Sequence, residues 1–446
     1  MVTKAAISVA LFLGCASLAH AQSVVPPMPA FEGPITEGGD MYPGLRPEAP
    51  GTTAADFGYA TDEYFVSGTA NGQPYKTRIL VRHPLPAERF SGIVIAESMH
   101  SNGFAVTFEP ARKYFFMRGH VHVEIAAQQA NVATLKAFNA VRYASVSVPS
   151  FANNADNTKA VSDIIAQVGL LIKSNLSNGP LAPLSVRRLI LEGTSQASGV
   201  LRNYQAQEHV QSRMPDRSAI VDGYFATSTL GTLPMMTVDV PTVHMPTMTE
   251  VNANGGAYRR PDGDETANRY RLYEVAGMAH ANSRETPTYV PNPCSLPVSD
   301  FPWGAMAAMG LNHLIEWVDH GIVPPHAARL EFDNDPANDG SRLALDRNGN
   351  VKGGVRNTYV DVPAAAYGVP NAGATPPAQF NCSIAGWRVP YDTETFEKMY
   401  RNKGAYISAI NRRLMELVRE GWMLPEYTDD VRADAQAIEI TPPGQR

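Results

Sequence analysis

Leu189-Ile190-Leu191-Glu192-Gly193-Thr194-Ser195-Gln196-Ala197-Ser198-Gly199 is the stretch from which the fold is read. Arg188 to Glu192 reads as a short buried strand and Gln196 to Gln207 as a helix. Between them Gly193-Thr194-Ser195-Gln196-Ala197 makes a tight turn, with a small residue two positions either side of a serine. A sharp strand-to-helix turn pushes a serine hydroxyl into a pocket, and the small neighbours let the backbone close up around it. The helix N-terminus beyond favours developing negative charge. Ser195 is therefore the candidate nucleophile, and the backbone N–H of Gln196 the first candidate donor to an oxyanion. Ser198 falls inside the helix and is set aside. The five-residue pattern alone says little; the strand before it and the helix after it carry the weight.

Working outward, Tyr64 to Gly68 and Tyr75 to Val81 read as strands joined through an Asn71-Gly72 turn. Gly92 to Glu97 is a continuous apolar run of strand type, a helix is expected near 107–118, and His120 to Ala126 is a further strand. Ala160 to Lys173 has helical spacing at Val161, Ile164, Ile165, Val168, Leu171 and Ile172. Strands are expected at Ile220 to Phe225, Val240 to Met245 and Tyr270 to Val275. This alternation predicts an α/β fold with a mostly parallel central sheet and helices on both faces. After residue 285 the pattern changes. Trp303 to Gly321 is one helix, stopped by Gly321 and Pro324-Pro325, and further helical pieces lie near 393–401 and 404–420. That long C-terminal region is expected to pack beside the sheet and shape a substrate pocket. The organisation expected is a signal peptide over 1–21, an extended N-terminal arm over 22–55, and a single unit over 56–446 in which 286–446 is an integral extension.

In the architecture that carries such an elbow, the catalytic partners follow in the order serine, acid, histidine. His280 lies just past a strand, in Tyr273-Glu274-Val275-Ala276-Gly277-Met278-Ala279-His280, where a general base belongs. Glu250 follows the strand-like Thr242-Val243-His244-Met245 and is the candidate acid, since its task is to accept the histidine N–H and stabilise imidazolium. Asp222 is the rival, with Asp262 and Asp264 in a loop nearby. The second oxyanion donor is expected from Ser98-Met99-His100-Ser101-Asn102-Gly103, at the backbone N–H of Met99 or His100.

Other chemistry is weighed against this. His120, His122 and Glu124 alternate on one strand and face one side, part of a zinc pattern that lacks a fourth ligand. Burial with hydrogen bonds under a helix is the plainer expectation. Asp333-Asn334-Asp335 and Asp346-Arg347-Asn348-Gly349 lack the spacing of a calcium loop and read as turns. No metal and no cofactor is expected. A net charge of −6 argues against nucleic acid or an anionic membrane surface as the main partner. Lys4, the apolar run Ala5 to Leu13 and Ala19-His20-Ala21 form a secretory signal cleaved after Ala21, too short for a membrane span, so a periplasmic or secreted protein is expected. Leu13-Gly14-Cys15 leaves lipidation of Cys15 as an alternative, although Phe12 stands where Leu, Val or Ile is usual. Export leaves Cys294 and Cys382, which an oxidising compartment favours as a disulfide over two separate thiols.

The chain resembles the large bacterial "alpha/beta hydrolase domain" proteins, often exported and mostly without an assigned substrate. The resemblance rests on Gly92–Glu97, Val123–Gln128, Ala140–Tyr143, Gly193–Ala197, Leu272–His280, Trp317–Pro325 and Asp346–Arg356, and so spans roughly 60–430. It implies the α/β-hydrolase fold, a hydrolase unit with an integral C-terminal region, and roles for Ser195 and His280 more firmly than for Glu250. The elbow departs from the usual pattern in carrying Ala197-Ser198 where Ser-Ala is commoner, which leaves the nucleophile undisturbed. The expected activity is carboxylic ester hydrolysis through an acyl-enzyme, on a small-molecule or oligomeric ester. Amide or lactone cleavage by the same triad, and an inactive periplasmic binding or scaffold protein of this fold, are the alternatives.

Overall fold

Alternating buried strands and amphipathic helices assemble as the periodicity demands. A computed structural model describes residues 23–47, 51–286, 289, 291–333, 342–373, 375–376 and 378–440. The expected signal peptide, Cys15, and Asn334 and Asp335 lie outside these residues. The strands of the main sheet are β1 (Ala30–Glu32), β2 (Tyr59–Ala70), β3 (Gln73–Pro84), β4 (Ile93–Ser98), β5 (Val121–Ile125), β6 (Arg188–Thr194), β7 (Gly223–Thr227), β8 (Thr242–Met245) and β9 (Tyr270–Leu272). Their order is β1-β2-β3-β5-β4-β6-β7-β8-β9. The pairings from β5 through β9 are parallel, and those of β1, β2 and β3 with their neighbours, including β3 with β5, are antiparallel. Every residue of β4 and β5 is buried, as strands covered on both faces require.

Helices α1 (Phe108–Arg118), α2 (Gln129–Phe138), α3 (Asn154–Lys173), α4 (Gln196–Gln207), α5 (Met248–Asn254) and α6 (Trp303–His320) surround the sheet. On β6, Leu189 lies against Gly169 of α3, whereas the next residue, Ile190, lies with Gly223 against Leu314 of α6. Adjacent strand residues face opposite ways, so α3 and α6 cover opposite faces. α3 begins six residues before the expected Ala160, because Asn153 caps it by accepting the N–H of Asp156.

The C-terminal region supplies α7 (Thr358–Asp361), a strand pair of β10 (Ala365–Gly368) and β11 (Trp387–Pro390), α8 (Ala378–Ala385), α9 (Thr393–Tyr400), α10 (Lys403–Glu420) and α11 (Thr428–Ala437). One buried apolar cluster runs through both regions, from Tyr59 to Ala435. Cys294 and Cys382 form a disulfide that ties α8 to the segment after residue 290.

Several boundaries differ from expectation. β7 begins at Gly223 rather than Ile220, and β9 ends at Leu272 rather than Val275. Ile220, Val221, Tyr273 and Val275 are buried all the same, so apolar runs mark burial and not strand ends. The expected arm contributes β1, which pairs with β2 over Ala30 to Glu32. Helices α2 and α5 go unpredicted, being short and weakly periodic.

Candidate active site

β6 delivers Ser195 at its end, immediately before α4. Ser195 has φ 57° and ψ −123°, a conformation that side-chain-bearing residues rarely adopt. The surroundings hold it there. Its N–H donates to Thr227 O on β7 at 3.1 Å. The hydroxyl of the preceding Thr194 meets that of Thr107 at 2.8 Å and also that of Thr227. A Cβ at position 193 would sit 2.5 Å from Ala197 O, so only glycine lets the turn close. Ser198 is buried, and its hydroxyl donates to Ser195 O at 2.6 Å.

His280 reaches the serine from the loop after β9. Its Nε2 lies 3.0 Å from Ser195 Oγ and its Nδ1 lies 2.5 Å from Glu250 Oε1. Glu250 is fully buried on the first turn of α5. Its other oxygen, Oε2, accepts the N–H of Thr247 at 2.8 Å and the hydroxyl of Thr247 at 2.7 Å. The carboxylate thus does two jobs: one oxygen closes a capping box on α5, and the other meets the imidazole. The His280 N–H donates to Thr249 Oγ1 at 3.1 Å, and Met248 N–H donates to Met278 O at 2.8 Å, so two hydrogen bonds tie the α5 N-terminus to the histidine loop.

The rival acids go elsewhere. Asp222 stands before β7, at the opposite end of the strand from the elbow, and takes Lys173 Nζ at 2.9 Å and Leu189 N–H at 2.7 Å. Asp262 pairs with Arg329 and Asp264 with Arg271.

The expectation for the second oxyanion donor needs correcting. The Met99 N–H donates to Ile125 O at 2.9 Å and the His100 N–H to Phe104 O at 3.0 Å, so both amides are already committed. The loop is nevertheless at the site. Ser101 N–H donates to Gln196 Oε1 at 3.2 Å, and Gln196 Nε2 donates to Gln128 Oε1 at 2.6 Å. Gln128 Nε2 in turn donates to Met99 O at 3.0 Å. The Gln196 N–H opens α4, where no carbonyl lies one turn back along the helix.

Ser195 and His280 face a cavity of about 490 Å³. Its wall includes His100 from the loop after β4, Arg46 from the N-terminal arm, Trp303 from α6, and Phe380 from α8. Arg46 is held by Glu109 at 2.7 Å and lies over the Phe104 ring. Burial raises the pKa of Glu285, also in this wall, to about 7. Arg46, Trp303 and Phe380 carry no motif, and their sequence neighbourhoods offered no signal.

The residues weighed for metal are engaged otherwise. His120 Nδ1 lies 2.8 Å from Ser91 Oγ, and Glu124 accepts from Arg78 at 2.7 Å. His122 stacks on Phe108 and faces the Arg82 guanidinium at 2.9 Å through Nδ1. A guanidinium only donates, so the ring proton sits on Nε2, directed toward Glu97 at 3.4 Å. With that proton in place the His122 ring offers no lone pair toward Glu97 and Glu192, with whose ligand atoms its own clusters within 4.8 Å. Asp346 Oδ1 accepts the N–H groups of Asn348 and Asn350, as in a turn.

A mostly parallel sheet, a serine on a strained strand-to-helix turn and a loop histidine after the last strand define the α/β hydrolases as a class. The chain belongs to the family described as "Alpha/beta hydrolase domain", whose model matches residues 31–433. A search of curated proteins found no match. Among solved structures the chain is similar to esterase Est22, at 10% identity and TM-score 0.27, over 43% of this chain and 64% of that one. Brefeldin A esterase, a bacterial homologue of human hormone-sensitive lipase, aligns at 11% identity and TM-score 0.26, over 42% and 44%. An esterase from the fungus Rhizomucor miehei aligns at 11% and 0.31, over 52% and 80%. The chain spans less than two thirds of the first two, and similarities this low carry no argument about substrate. Among the described residues no helix is long and apolar enough to cross a membrane.

Proposed function

We propose that this chain is an exported serine hydrolase that cleaves carboxylic esters through an acyl-enzyme on Ser195. One observation carries the reading: the continuous run from Ser195 Oγ to His280 Nε2 at 3.0 Å, and from His280 Nδ1 to Glu250 Oε1 at 2.5 Å. In this scheme His280 takes the serine proton as Oγ attacks the ester carbonyl, and returns it to the departing alkoxide. Water then enters by the same route and releases the acid. Glu250 holds the Nδ1–H tautomer and stabilises the imidazolium. The amide of Gln196 is one donor to the oxyanion.

The Cys294–Cys382 bridge fits an oxidising compartment, in keeping with a cleaved signal over residues 1–21. The shared core from Tyr59 to Ala435 supports treating 56–446 as a single unit. A fluorophosphonate probe tests the reading. Wild-type protein is expected to be labelled once and Ser195→Ala not at all. A well-folded wild type that resists the probe removes the hydrolase assignment. A panel of esters, amides and lactones then fixes the bond cleaved, with esters expected to turn over fastest.

A further inference from the structure

An acyl transfer at Ser195 develops negative charge on the substrate's carbonyl oxygen, and one amide, that of Gln196, is a thin provision for it. The loop after β4 should supply the partner donor, yet the amides of Met99 and His100 are spent on Ile125 O and Phe104 O. What the loop does present to the cavity is the His100 side chain, in the same wall as Ser195, Gln196 and His280. Its Nδ1 accepts the N–H of Asn102 at 3.1 Å. With Nδ1 occupied as an acceptor, a neutral ring carries its proton on Nε2. Nε2 has no hydrogen-bond partner among the described residues.

We propose that the His100 imidazole, through Nε2–H, donates the second hydrogen bond to the tetrahedral oxyanion, opposite the Gln196 amide. The proposal rests on the hydrolase reading above. In the first step Ser195 Oγ bonds to the carbonyl carbon, its proton passes to His280 Nε2, and the carbonyl π pair moves onto oxygen, where His100 meets it. Collapse returns that pair to the carbon and breaks the bond to the alkoxide, which takes the proton from His280. His100 itself gains and loses no proton.

Two features suit the ring to this work. Burial lowers its pKa to about 4, and the nearby charge of His280 pushes the same way, so His100 stays neutral while His280 becomes imidazolium. The loop is also clamped to the elbow by the Gln128–Gln196 amide pair, so the donor is placed before substrate arrives. Pre-placement is what makes such a donor effective.

The test compares wild type, His100→Ala and His100→Gln as full chains, on p-nitrophenyl acetate, with active sites counted by fluorophosphonate. Glutamine places an N–H near the position of Nε2. His100→Ala is expected to lose on the order of 100-fold in kcat per labelled site. Its KM should stay within about threefold of wild type, because the hydrogen bond strengthens only in the transition state. His100→Gln is expected to regain about tenfold of that loss. Wild-type kcat in His100→Ala overturns the proposal while leaving the hydrolase reading standing. Equal losses in both variants also overturn it, since a merely structural role predicts no rescue. A wild type that neither labels nor turns over ends both.

Discussion

In the proposed mechanism Glu250 serves folding and chemistry together. Its two oxygens are divided between the α5 cap and His280, and it is fully buried, so neither partner is easily replaced by water. Glu250→Gln keeps the size and puts an amide where an acceptor is needed. The amide N–H can face Nδ1 and favour the wrong imidazole tautomer. A fall in kcat of about 10³–10⁴-fold is expected. Steady-state kinetics on p-nitrophenyl acetate measure it, and turnover near wild type would move the acid role to another carboxylate. Ser195 is the companion case. Its positive φ is held by the Thr227 carbonyl and the threonine hydroxyls around Thr194, so the strain is sustained by neighbours and not by Ser195 itself.

Helix α5 is the element on which the site depends most and which sequence patterns marked least. It spans only Met248–Asn254, yet its first turn carries Glu250 and, through Thr249 Oγ1, anchors the His280 backbone. Its start is Thr247, whose Oγ accepts the N–H of Thr249 at 3.2 Å and whose hydroxyl donates to Glu250. Thr247→Ala removes both bonds. The expected cost is about 1 kcal/mol of stability, typical of a lost cap. A melting temperature lower by about 1–3 °C is expected, with a kcat loss smaller than that of Glu250→Gln because the His280–Glu250 contact remains. Calorimetry and kinetics together decide it, and no change in either would mean that the cap does not support the site. On the far side of the cavity α8 is held by the Cys294–Cys382 bridge, by the Tyr289 hydroxyl donating to Asn381 O at 2.9 Å, and by the Ala281 N–H donating to Ile384 O at 3.1 Å. These hold Phe380 and Ile384 in the wall of the cavity that Ser195 faces.

At the level of the whole molecule, the sheet behind the site contains buried charge. Arg78 bridges Glu63 and Glu124, and Arg142 also pairs with Glu63. Next to this network Glu97 and Glu192 sit side by side on β4 and β6, each buried, each leading into a loop of the site. Burial raises the Glu97 pKa to about 8 and pushes that of Glu192 up as well, helped by the neighbouring carboxylate. A proton held by the pair is the consequence. The folded state then binds more protons than the unfolded chain between the ordinary glutamate value of 4.5 and about 8. Stability from this source is complete below that range and is lost as pH rises through it. Glu192→Gln supplies a permanent donor to Glu97 and should flatten the loss. Urea melts at pH 5, 6.5 and 8 are expected to find wild type losing stability against the variant as pH rises. A difference that stays constant with pH would exclude the shared proton.

The sequence by itself was sufficient for the α/β class, for most of the sheet and for Ser195 and His280 as candidate residues, because each rests on local physics; for the acid it left Glu250 and Asp222 as rivals. Continuous apolar runs mark the buried strands and period-3.6 spacing the helices, and the order serine, acid, histidine follows from the order of parallel strands. Short elements such as α5, and the ends of β7 and β9, were hidden because apolar residues continue past the last ladder bond into buried loops. Only the tertiary structure places Glu250 against His280 and Asp222 against Lys173, since that depends on which end of the sheet a carboxylate occupies. Only it spent the amides of Met99 and His100 on other carbonyls and brought Arg46, Trp303 and Phe380 to one cavity. A hydrogen-bond partner far along the chain leaves no local trace: register and packing decide it.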